Sequence, residues 1–301
     1  MELYRFEGEY EGKAFRAFYA IADLRKGTLQ VTQDTTDKRR MIPDSFHIRN
    51  HQPALVVNTS FFSFATNRNL NIIMNNGKIL AHNEHVVKGR GAHSTVYMHP
   101  LVGALGIRRN GEMDIAWTFT DRRKRKPYAV QDNPVLVKDS FSVVDIRWAR
   151  RNRRNKSLSV HMPARSAGQS QFPRLKRWLV QTALGGGPVL VQNSQIHITN
   201  NEEWKFAGKA INDYHPRTAV GYTSDGRLIV LVIEGRNPGV AEGATLPQTA
   251  AILQQLGCVE ALNLDGGGST CMLINGRETV RPSDREGQRA VPAVMVWRGA
   301  R

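Results

Sequence analysis

The sequence predicts an α+β fold rich in β-strands, with mixed or antiparallel sheets and a few helices in one large domain spanning residues 1–301. Two observations support this. Short apolar or alternating segments recur along the whole chain, separated by Gly, Asn and Asp, which is typical of strands joined by tight turns. A helical period is clear in only one place. Many strands and few helices indicate this fold class.

The elements follow in chain order. Residues 1–50 alternate apolar and polar positions and are predicted to form antiparallel strands. The apolar segments 55–57, 259–264 and 293–297 predict single strands, and turn sequences such as Asn75-Asn76-Gly77 predict hairpins. The predicted hairpin pairs are 72–74 with 78–80, 103–108 with 112–117, 188–191 with 195–198, 218–223 with 228–233, and 271–274 with 278–280.

One segment is predicted to be helical. In residues 246–256, Leu246, Ala250, Leu253 and Leu256 fall on one face, and Gly257 stands at the stop position. Residues 118–183 are predicted to be a basic and less regular segment within the same domain.

Composition excludes several classes of protein. Hydrophobic residues make up 41% of the chain, which is too apolar for a disordered protein. No run approaches the roughly 18 apolar residues of a membrane span, and two cysteines are too few for a disulfide framework. The N-terminus lacks the pattern of a secretory signal, so a cytoplasmic location is expected if the sequence is complete as given, and a secreted one if a signal peptide was removed.

The charge of the chain is unusual. The formal net charge is +16, and residues 121–177 alone hold 16 basic and 4 acidic residues. Such density attracts polyanions, and the attraction should fall steeply with salt. Nucleic acid is therefore one candidate partner. Trp148 and Trp178 lie in or beside this segment, where they would either stack on bases or sugars or anchor in the core.

The most informative motif is Asn263-Leu264-Asp265-Gly266-Gly267-Gly268-Ser269-Thr270. It places the carboxylate of Asp265 at the end of a buried strand, followed by three glycines that let backbone amides approach a ligand. The motif differs from known phosphate loops, because no Lys precedes Ser269, and Cys271 stands where a dinucleotide fingerprint needs its last glycine. The motif predicts a ligand-binding site at the rim of a sheet.

This motif resembles the Asn-Leu-Asp-Gly-Gly-Gly-Ser signature of the phosphodiester glycosidase family, and other segments are similar to family elements in the same order. These are Asn58-Thr59-Ser60-Phe61-Phe62, residues 106–111, residues 187–191, His215-Pro216-Arg217-Thr218-Ala219-Val220-Gly221, Glu234-Gly235-Arg236 and Pro282-Ser283-Asp284. The resemblance covers roughly residues 50–300. The conjunction of motifs is far more specific than any one alone.

Three departures from the family pattern bear on activity. Thr59 and Ser60 replace a pair of glycines, and Glu234 replaces the usual Asp. Gln248 stands where the helix usually has Glu, so a catalytic function of that carboxylate would be missing here. The chain would then be inactive, altered in substrate, or an engineered variant.

The resemblance implies hydrolysis of a sugar 1-phosphodiester on an anionic substrate. Phosphate leaves readily, so stabilising the cation-like sugar and the departing phosphate matters more than general-acid help. The candidate catalytic residues are two carboxylates at the anomeric carbon or its water, a histidine that donates a proton or a hydrogen bond to the phosphate, and one phosphate-binding guanidinium: Asp265, Glu234, His215 and Arg217. The candidate substrate-binding residues are Asn58, Arg236, Asn263, Gly266, Gly267, Gly268, Ser269 and Thr270.

The same residues allow other interpretations. Arg217 would otherwise form a structural ion pair, and Glu234 would otherwise be a turn residue. No cofactor is implied with certainty, although Asp265 with a phosphate would suit a divalent cation. His82 and His85 lack the spacing of a helical zinc site. The competing functions are a phosphodiesterase or nuclease that acts on DNA or RNA through the 121–177 patch, and a non-catalytic polyanion-binding protein.

Overall fold

Antiparallel strands dominate the fold. The computed structural model describes residues 1–36, 38–122, 125–132, 134–139, 147–148, 157–158, 160–161 and 175–299. Every strand pair within these residues is antiparallel, and only two α-helices occur there. The predicted β-rich antiparallel architecture is confirmed. With so few helices, the α+β class fits only loosely.

Three large sheets contain most of the strands, which are numbered here in chain order. The seven-stranded sheet has the order β1 (Glu2–Tyr10), β2 (Lys13–Asp23), β21 (Arg227–Ile233), β20 (Arg217–Thr223), β22 (Cys258–Asn263), β18 (Val189–Gln192) and β19 (Gln195–Ile196). The five-stranded sheet has the order β24 (Arg277–Glu278), β23 (Met272–Ile274), β4 (Leu55–Asn58), β25 (Ala293–Gly299) and β3 (Leu29–Thr35).

The eight-stranded sheet has the order β14 (Ser157–Leu158), β16 (Leu175–Arg177), β11 (Lys126–Val130), β10 (Met113–Asp121), β9 (Val102–Ile107), β17 (Thr182–Gly185), β5 (Ile73–Asn75) and β6 (Lys78–Ala81). Two smaller sheets comprise β12 (Val137–Asp139), β8 (Tyr97–His99) and β7 (Val87–Lys88), and β13 (Arg147–Trp148) with β15 (Val160–His161). Short 3-10 turns lie at Leu24–Lys26, Gly91–His93 and Gly267–Ser269.

The three large sheets share one apolar core. Val230 of the seven-stranded sheet, Trp117 of the eight-stranded sheet and Trp297 of the five-stranded sheet are all fully buried in it. Alternation along β21 explains the layering, because successive side chains of a strand point to opposite faces. Val230 faces this core, whereas Leu231 faces outward and packs with the helix that covers the seven-stranded sheet.

The predicted helix is α2 (Leu246–Gln255), which packs Leu246, Ala250 and Leu253 on that outer face. Gly257 follows with φ +85°, a left-handed conformation in which glycine carries no side-chain penalty. The predicted hairpins also form, and Asn76 and Gly77 both have the positive φ of a tight hairpin turn.

The prediction for residues 1–50 is wrong in one respect. Strands occupy most of this region, but Pro43–Arg49 forms a second helix, α1, which buries Phe46 against the five-stranded sheet. Pro43 at its first turn suits a helix start. The helix has fewer than two turns, which is too short for its apolar period to appear in the sequence.

The described residues contain no helix that combines the length and apolarity needed to cross a lipid bilayer.

Cys258 and Cys271 are both buried free thiols, and burial raises the pKa of each. They therefore behave as small core residues.

Candidate active site

The glycine loop, defined as residues 263–270, follows directly on β22 and is held by two neighbouring segments. The Leu264 N–H donates to the Thr218 carbonyl at 2.8 Å, and the Asp265 N–H donates to the Thr59 carbonyl at 2.8 Å. Thr218 lies on β20 of the seven-stranded sheet, whereas Thr59 directly follows β4 of the five-stranded sheet. The backbone of Asp265 is therefore fixed where these two sheets meet.

Asn58 clamps the same junction from within. Its Nδ2 donates to the Asp265 carbonyl at 2.6 Å, while its Oδ1 accepts from the Thr218 hydroxyl at 2.9 Å and from the Cys271 N–H at 3.0 Å. Asn58 is 1% exposed. It lies behind the loop and positions it, and direct contact with a substrate stays a prediction.

The carboxyl group of Asp265 is a weaker acid than usual. Its side chain is half-buried at the rim, and burial raises its pKa to about 7. The Ser269 hydroxyl, the positive charges of Arg289 and Lys205, and the Gly266 backbone lower the pKa in opposition to burial. At neutral pH the group exists in both protonation states, which suits a general acid or base.

Lys205 is the second titratable group of the site. Burial lowers its pKa to about 8, while the negative charges of Glu203 and Asp265 raise it. Its ammonium lies 4.9 Å from the centre of the Phe61 ring, a cation–π distance. Sequence reasoning missed Lys205 because a lysine in the polar sequence Glu202-Glu203-Trp204-Lys205 resembles an exposed surface loop.

Glu203 explains how Lys205 is held in place. This carboxylate is 1% exposed and accepts hydrogen bonds from four donors: Gly103 N–H (2.9 Å), Trp117 Nε1 (3.1 Å), Val189 N–H (2.8 Å) and the Thr199 hydroxyl (2.7 Å). Burial nevertheless raises its pKa, with the charge of Lys205 as the main opposing influence. These hydrogen bonds tie the loop that carries Glu203 and Lys205 to the strands β9, β10 and β18.

Two arginines cover the glycines. A Cβ atom on Gly267 would lie 3.1 Å from Nη2 of Arg236, and one on Gly268 would collide with the guanidinium of Arg289. Gly267 also has φ +60°, which a side chain would disfavour. The glycines are therefore needed so that two guanidinium groups can lie against the loop. Its amides are only partly available to a ligand, because the Gly267 N–H already donates to the Pro216 carbonyl at 2.8 Å.

An aromatic surface adjoins these cations. The Arg289 guanidinium lies 5.5 Å from the ring centre of Phe64, and Arg40 lies 5.5 Å from the same ring. Phe64 is 63% exposed although it contacts Phe62 at a ring distance of 4.8 Å. An exposed ring beside cations suits the apolar face of a sugar that carries a negative charge.

Arg217 is bound to two backbone carbonyls, and its contact with a phosphate stays a prediction. It is 4% exposed, its Nε donates to the Ala244 carbonyl at 2.8 Å, and its Nη2 donates to the Asp213 carbonyl at 2.7 Å. Burial lowers its pKa to about 10. These hydrogen bonds hold the start of β20 against the loop that precedes α2.

The half-buried His215 pairs its backbone with Ala244, and burial together with the charges of Arg217 and Arg236 lowers its pKa.

Glu234 is likewise bound within the protein. It is 1% exposed and contacts Arg16 at 3.2 Å, the Asn237 amide at 3.3 Å and the Arg281 N–H at 3.1 Å. It ties β2 and β21 to the chain segment that leads to β25. Glu234 is thus more than a turn residue, because its contacts join distant segments. A catalytic function of its carboxylate stays a prediction.

The remaining predicted residues are buried polar members of the glycine loop itself. Asn263 Nδ2 donates to the Gly187 carbonyl at 2.9 Å, and the Thr270 hydroxyl accepts from that of Thr218 at 3.4 Å. Asn263, Ser269 and Thr270 are all buried. Of these three, only Ser269 acts on Asp265, by lowering its pKa.

Gln248 caps α2. Its Oε1 accepts from the Thr245 N–H at 2.9 Å, and the Thr245 hydroxyl accepts from the Gln248 N–H at 3.1 Å, which is a capping box. Its Nε2 donates to the Glu11 carboxylate at 2.6 Å and to the Tyr214 hydroxyl at 3.3 Å. The amide is therefore required, because a carboxylate at position 248 would face that of Glu11.

The basic segment 121–177 lies largely outside the described residues, including Arg123, Lys124, residues 149–156 and the side chain of Trp148. Trp178 is buried on the outer face of the eight-stranded sheet and donates to Asp114, so it is a core anchor. In the part of the chain that the structure describes, no three His, Cys, Asp or Glu side chains form a group able to hold a metal ion. The divalent cation stays a prediction.

Residues 142–297, just over half of the chain, match the sequence profile of the phosphodiester glycosidase family. A similar protein is the N-acetylglucosamine-1-phosphodiester alpha-N-acetylglucosaminidase of Mus musculus, which is 34% identical over 108 residues. That alignment covers 36% of this chain and 20% of the mouse protein. The chain thus matches only about a fifth of the length of this relative.

Two solved structures show the same fold. A hypothetical protein from Synechocystis has a TM-score of 0.65 and 16% identity, over 97% of this chain and 61% of that one. The zebrafish N-acetylglucosamine-1-phosphodiester alpha-N-acetylglucosaminidase catalytic domain, auto-inhibited by its pro-peptide, has a TM-score of 0.59 and 18% identity, over 99% and 82%.

The fold and the site define a β-rich protein with a charged rim where two sheets meet. Its motifs and the match to the family profile agree. The chain belongs to the phosphodiester glycosidase family.

Proposed function

We propose that this protein is a hydrolase that cleaves a phosphate-linked glycoside at the sugar carbon. The observation that carries the proposal is the half-buried carboxyl group of Asp265, with a pKa of about 7, set between the cations Lys205 and Arg289. Such a group exchanges a proton at neutral pH beside charges that attract phosphate.

The proposed reaction uses Asp265 as a general base. Its ionised carboxylate removes a proton from a water molecule whose oxygen attacks the anomeric carbon. The bond between that carbon and the bridging phosphate oxygen breaks, and its electron pair leaves with the phosphate monoester. The proton stays on Asp265, so atoms and charges balance.

Arginines stabilise the departing phosphate. Arg236 and Arg289 lie against the glycine loop, and guanidinium groups bind two phosphate oxygens at once. Asp284 already binds Arg289 through two hydrogen bonds of 2.7 and 2.9 Å, which fixes the orientation of that guanidinium. A cavity of about 390 Å³ beside Arg236 is also lined by Arg281 and Arg285, and it would hold the substituent beyond the phosphate.

The buried polar residues position these groups. Arg217 fixes the start of β20, Glu234 fixes the end of β21, and Asn58 fixes the backbone of Asp265. His215 stands near Arg236 in a largely neutral form, because its pKa is lowered, and it offers a hydrogen bond rather than a charge. A divalent cation at Asp265 belongs to the proposal only if chelation with EDTA abolishes turnover.

The names of the mouse and zebrafish relatives supply the first substrate to test, an N-acetylglucosamine 1-phosphodiester. The wild type is expected to release reducing N-acetylglucosamine from N-acetylglucosamine 1-(methyl phosphate), and Asp265→Asn is expected to lose that activity. Absence of turnover on this and other sugar 1-phosphodiesters, with retained binding of polyanions, would instead support the binding protein. Cleavage of DNA or RNA alone would support the nuclease.

A further inference from the structure

A second cavity lies away from the glycine loop. It encloses about 1,320 Å³ where the five-stranded and eight-stranded sheets diverge, and Ile107 and Thr182 are among its lining residues. Ile107 ends strand β9, whereas Gly103, near the other end of that strand, donates to Glu203 in the active site. Four residues of strand separate these positions, about 13 Å of backbone. The cavity is therefore distinct from the catalytic rim.

The lining of the cavity is basic. It includes Arg108, Arg109, Arg298 and His51, and no Asp or Glu occurs among its described lining residues. Arg108 is paired at its outer side with Glu112 at 3.0 Å. Arg109 has no ion pair within the described part of the chain. The cavity therefore holds uncompensated positive charge.

Arg298 lines the cavity in an orientation that the protein fixes. Its Nη2 donates to Asn50, which orients the guanidinium, but its Nε is buried without a hydrogen-bond partner among the described residues. An unpaired donor on a charged group is costly to bury. Because that Nε has almost no accessible surface, an anion in the cavity would bind the Nη groups of this guanidinium instead.

The remaining lining suggests the form of the ligand. Gln30, Gln52, Asn76 and Gln181 also line the cavity, and amide side chains match sugar hydroxyls as donors and acceptors. The volume exceeds the roughly 300–1,000 Å³ that holds a drug-sized molecule. We propose that this distal cavity is a binding site for a saccharide that carries phosphate or sulfate esters, with Arg109 and Arg298 as its anion-binding residues. The proposal does not depend on the proposed catalytic function.

The test must separate the cavity from the basic segment 121–177, which would bind any polyanion. The parent protein is therefore the full chain with Arg122→Ser, Arg125→Ser, Arg153→Ser and Arg154→Ser. Sucrose octasulfate is titrated into it by calorimetry at 0.15 M salt, with inorganic phosphate as a second probe that lacks the sugar. Lys209→Ser, which removes an exposed charge elsewhere, is the matched control.

In this parent, Arg109→Ser is expected to weaken binding of sucrose octasulfate at least about tenfold, the loss typical of one hydrogen bond to a charged group. Arg298→Gln is expected to do the same, whereas Lys209→Ser should leave the affinity unchanged. Arg109 is exposed, so its variant should fold even if Arg298→Gln does not. Equal affinity in Arg109→Ser and Lys209→Ser, or failure of the parent to bind the probe, would overturn the proposal. Equal affinity for inorganic phosphate and sucrose octasulfate would overturn the saccharide assignment.

Discussion

Asp265→Asn tests the site through two quantities that should change in opposite directions. The substitution removes the proposed base and should lower kcat at least about 10²-fold, the lower range for a positioned acid–base group. It also removes a carboxylate whose ionisation opposes folding. The variant should therefore be less active and, above neutral pH, more stable than the wild type.

The size of the stability effect follows from the pKa. Burial raises it from an ordinary value near 3.9 to about 7, and each unit corresponds to about 1.4 kcal/mol. The folded state therefore binds the proton more tightly than the unfolded state. The stability of the wild type should fall as pH rises from about 4 to 7 and then stay lowered. The total is at most about 4 kcal/mol, and less because water reaches part of the carboxylate.

The assay combines turnover of N-acetylglucosamine 1-(methyl phosphate) with thermal unfolding at pH 4.5 and pH 8. The Tm of Asp265→Asn minus that of the wild type should be larger at pH 8 than at pH 4.5. Asp132→Asn, an exposed carboxylate, is the matched control and should change neither quantity. Full activity of Asp265→Asn would refute the site, and a Tm difference independent of pH would refute the raised pKa.

Three further predictions address the supporting residues. The pH profile of kcat/KM should be bell-shaped, with limbs near 7 and 8 from Asp265 and Lys205. Lys205→Met should move the rising limb to higher pH, because the lysine charge lowers the pKa of Asp265, whereas Lys205→Arg should leave that limb in place. An unmoved limb in Lys205→Met would contradict the coupling of the two groups. Gln248→Glu should lower Tm without raising activity, because it places a second carboxylate next to that of Glu11. Adding Glu11→Gln should restore the Tm. A gain in glycosidase activity in Gln248→Glu would show that position 248 is catalytic. Arg217→Lys should lower the free energy of unfolding by roughly 2–4 kcal/mol, because one amine cannot replace both hydrogen bonds to backbone carbonyls. An unchanged Tm, with activity lost selectively on phosphate-bearing substrates, would indicate that Arg217 contacts the phosphate directly.

Local signals in the sequence predicted the local structure well. Asn76-Gly77 and Ser224-Asp225-Gly226 indicate hairpins because few residues tolerate the required backbone angles, and both hairpins form. The position of Asp265 at the end of a buried strand was also predictable, since an apolar run stops there at three glycines. Helix α1 was not, because its seven residues make fewer than two turns, too few for an apolar period to repeat.

Long-range structure decided what the sequence could not show. Arg217 and Glu234 were chosen by residue type, but the pairing of β2, β20 and β21 turns them toward Ala244 and Arg16. Lys205 carries no motif, and its lowered pKa arises from burial, which the charges of Glu203 and Asp265 oppose. Residue type predicts the chemistry that a side chain can perform, whereas contacts between distant segments determine which side chain meets the substrate.

The central claim is that the bond between the sugar carbon and the phosphate oxygen breaks. Hydrolysis of N-acetylglucosamine 1-(methyl phosphate) on either side of that oxygen gives the same two products, so only an isotope distinguishes them. The measurement is turnover in ¹⁸O water, with mass spectrometry of both products after correction for exchange at the anomeric carbon. The glycosidase mechanism predicts one ¹⁸O in the released N-acetylglucosamine and none in methyl phosphate. Label in methyl phosphate would contradict it, because water would then have attacked phosphorus.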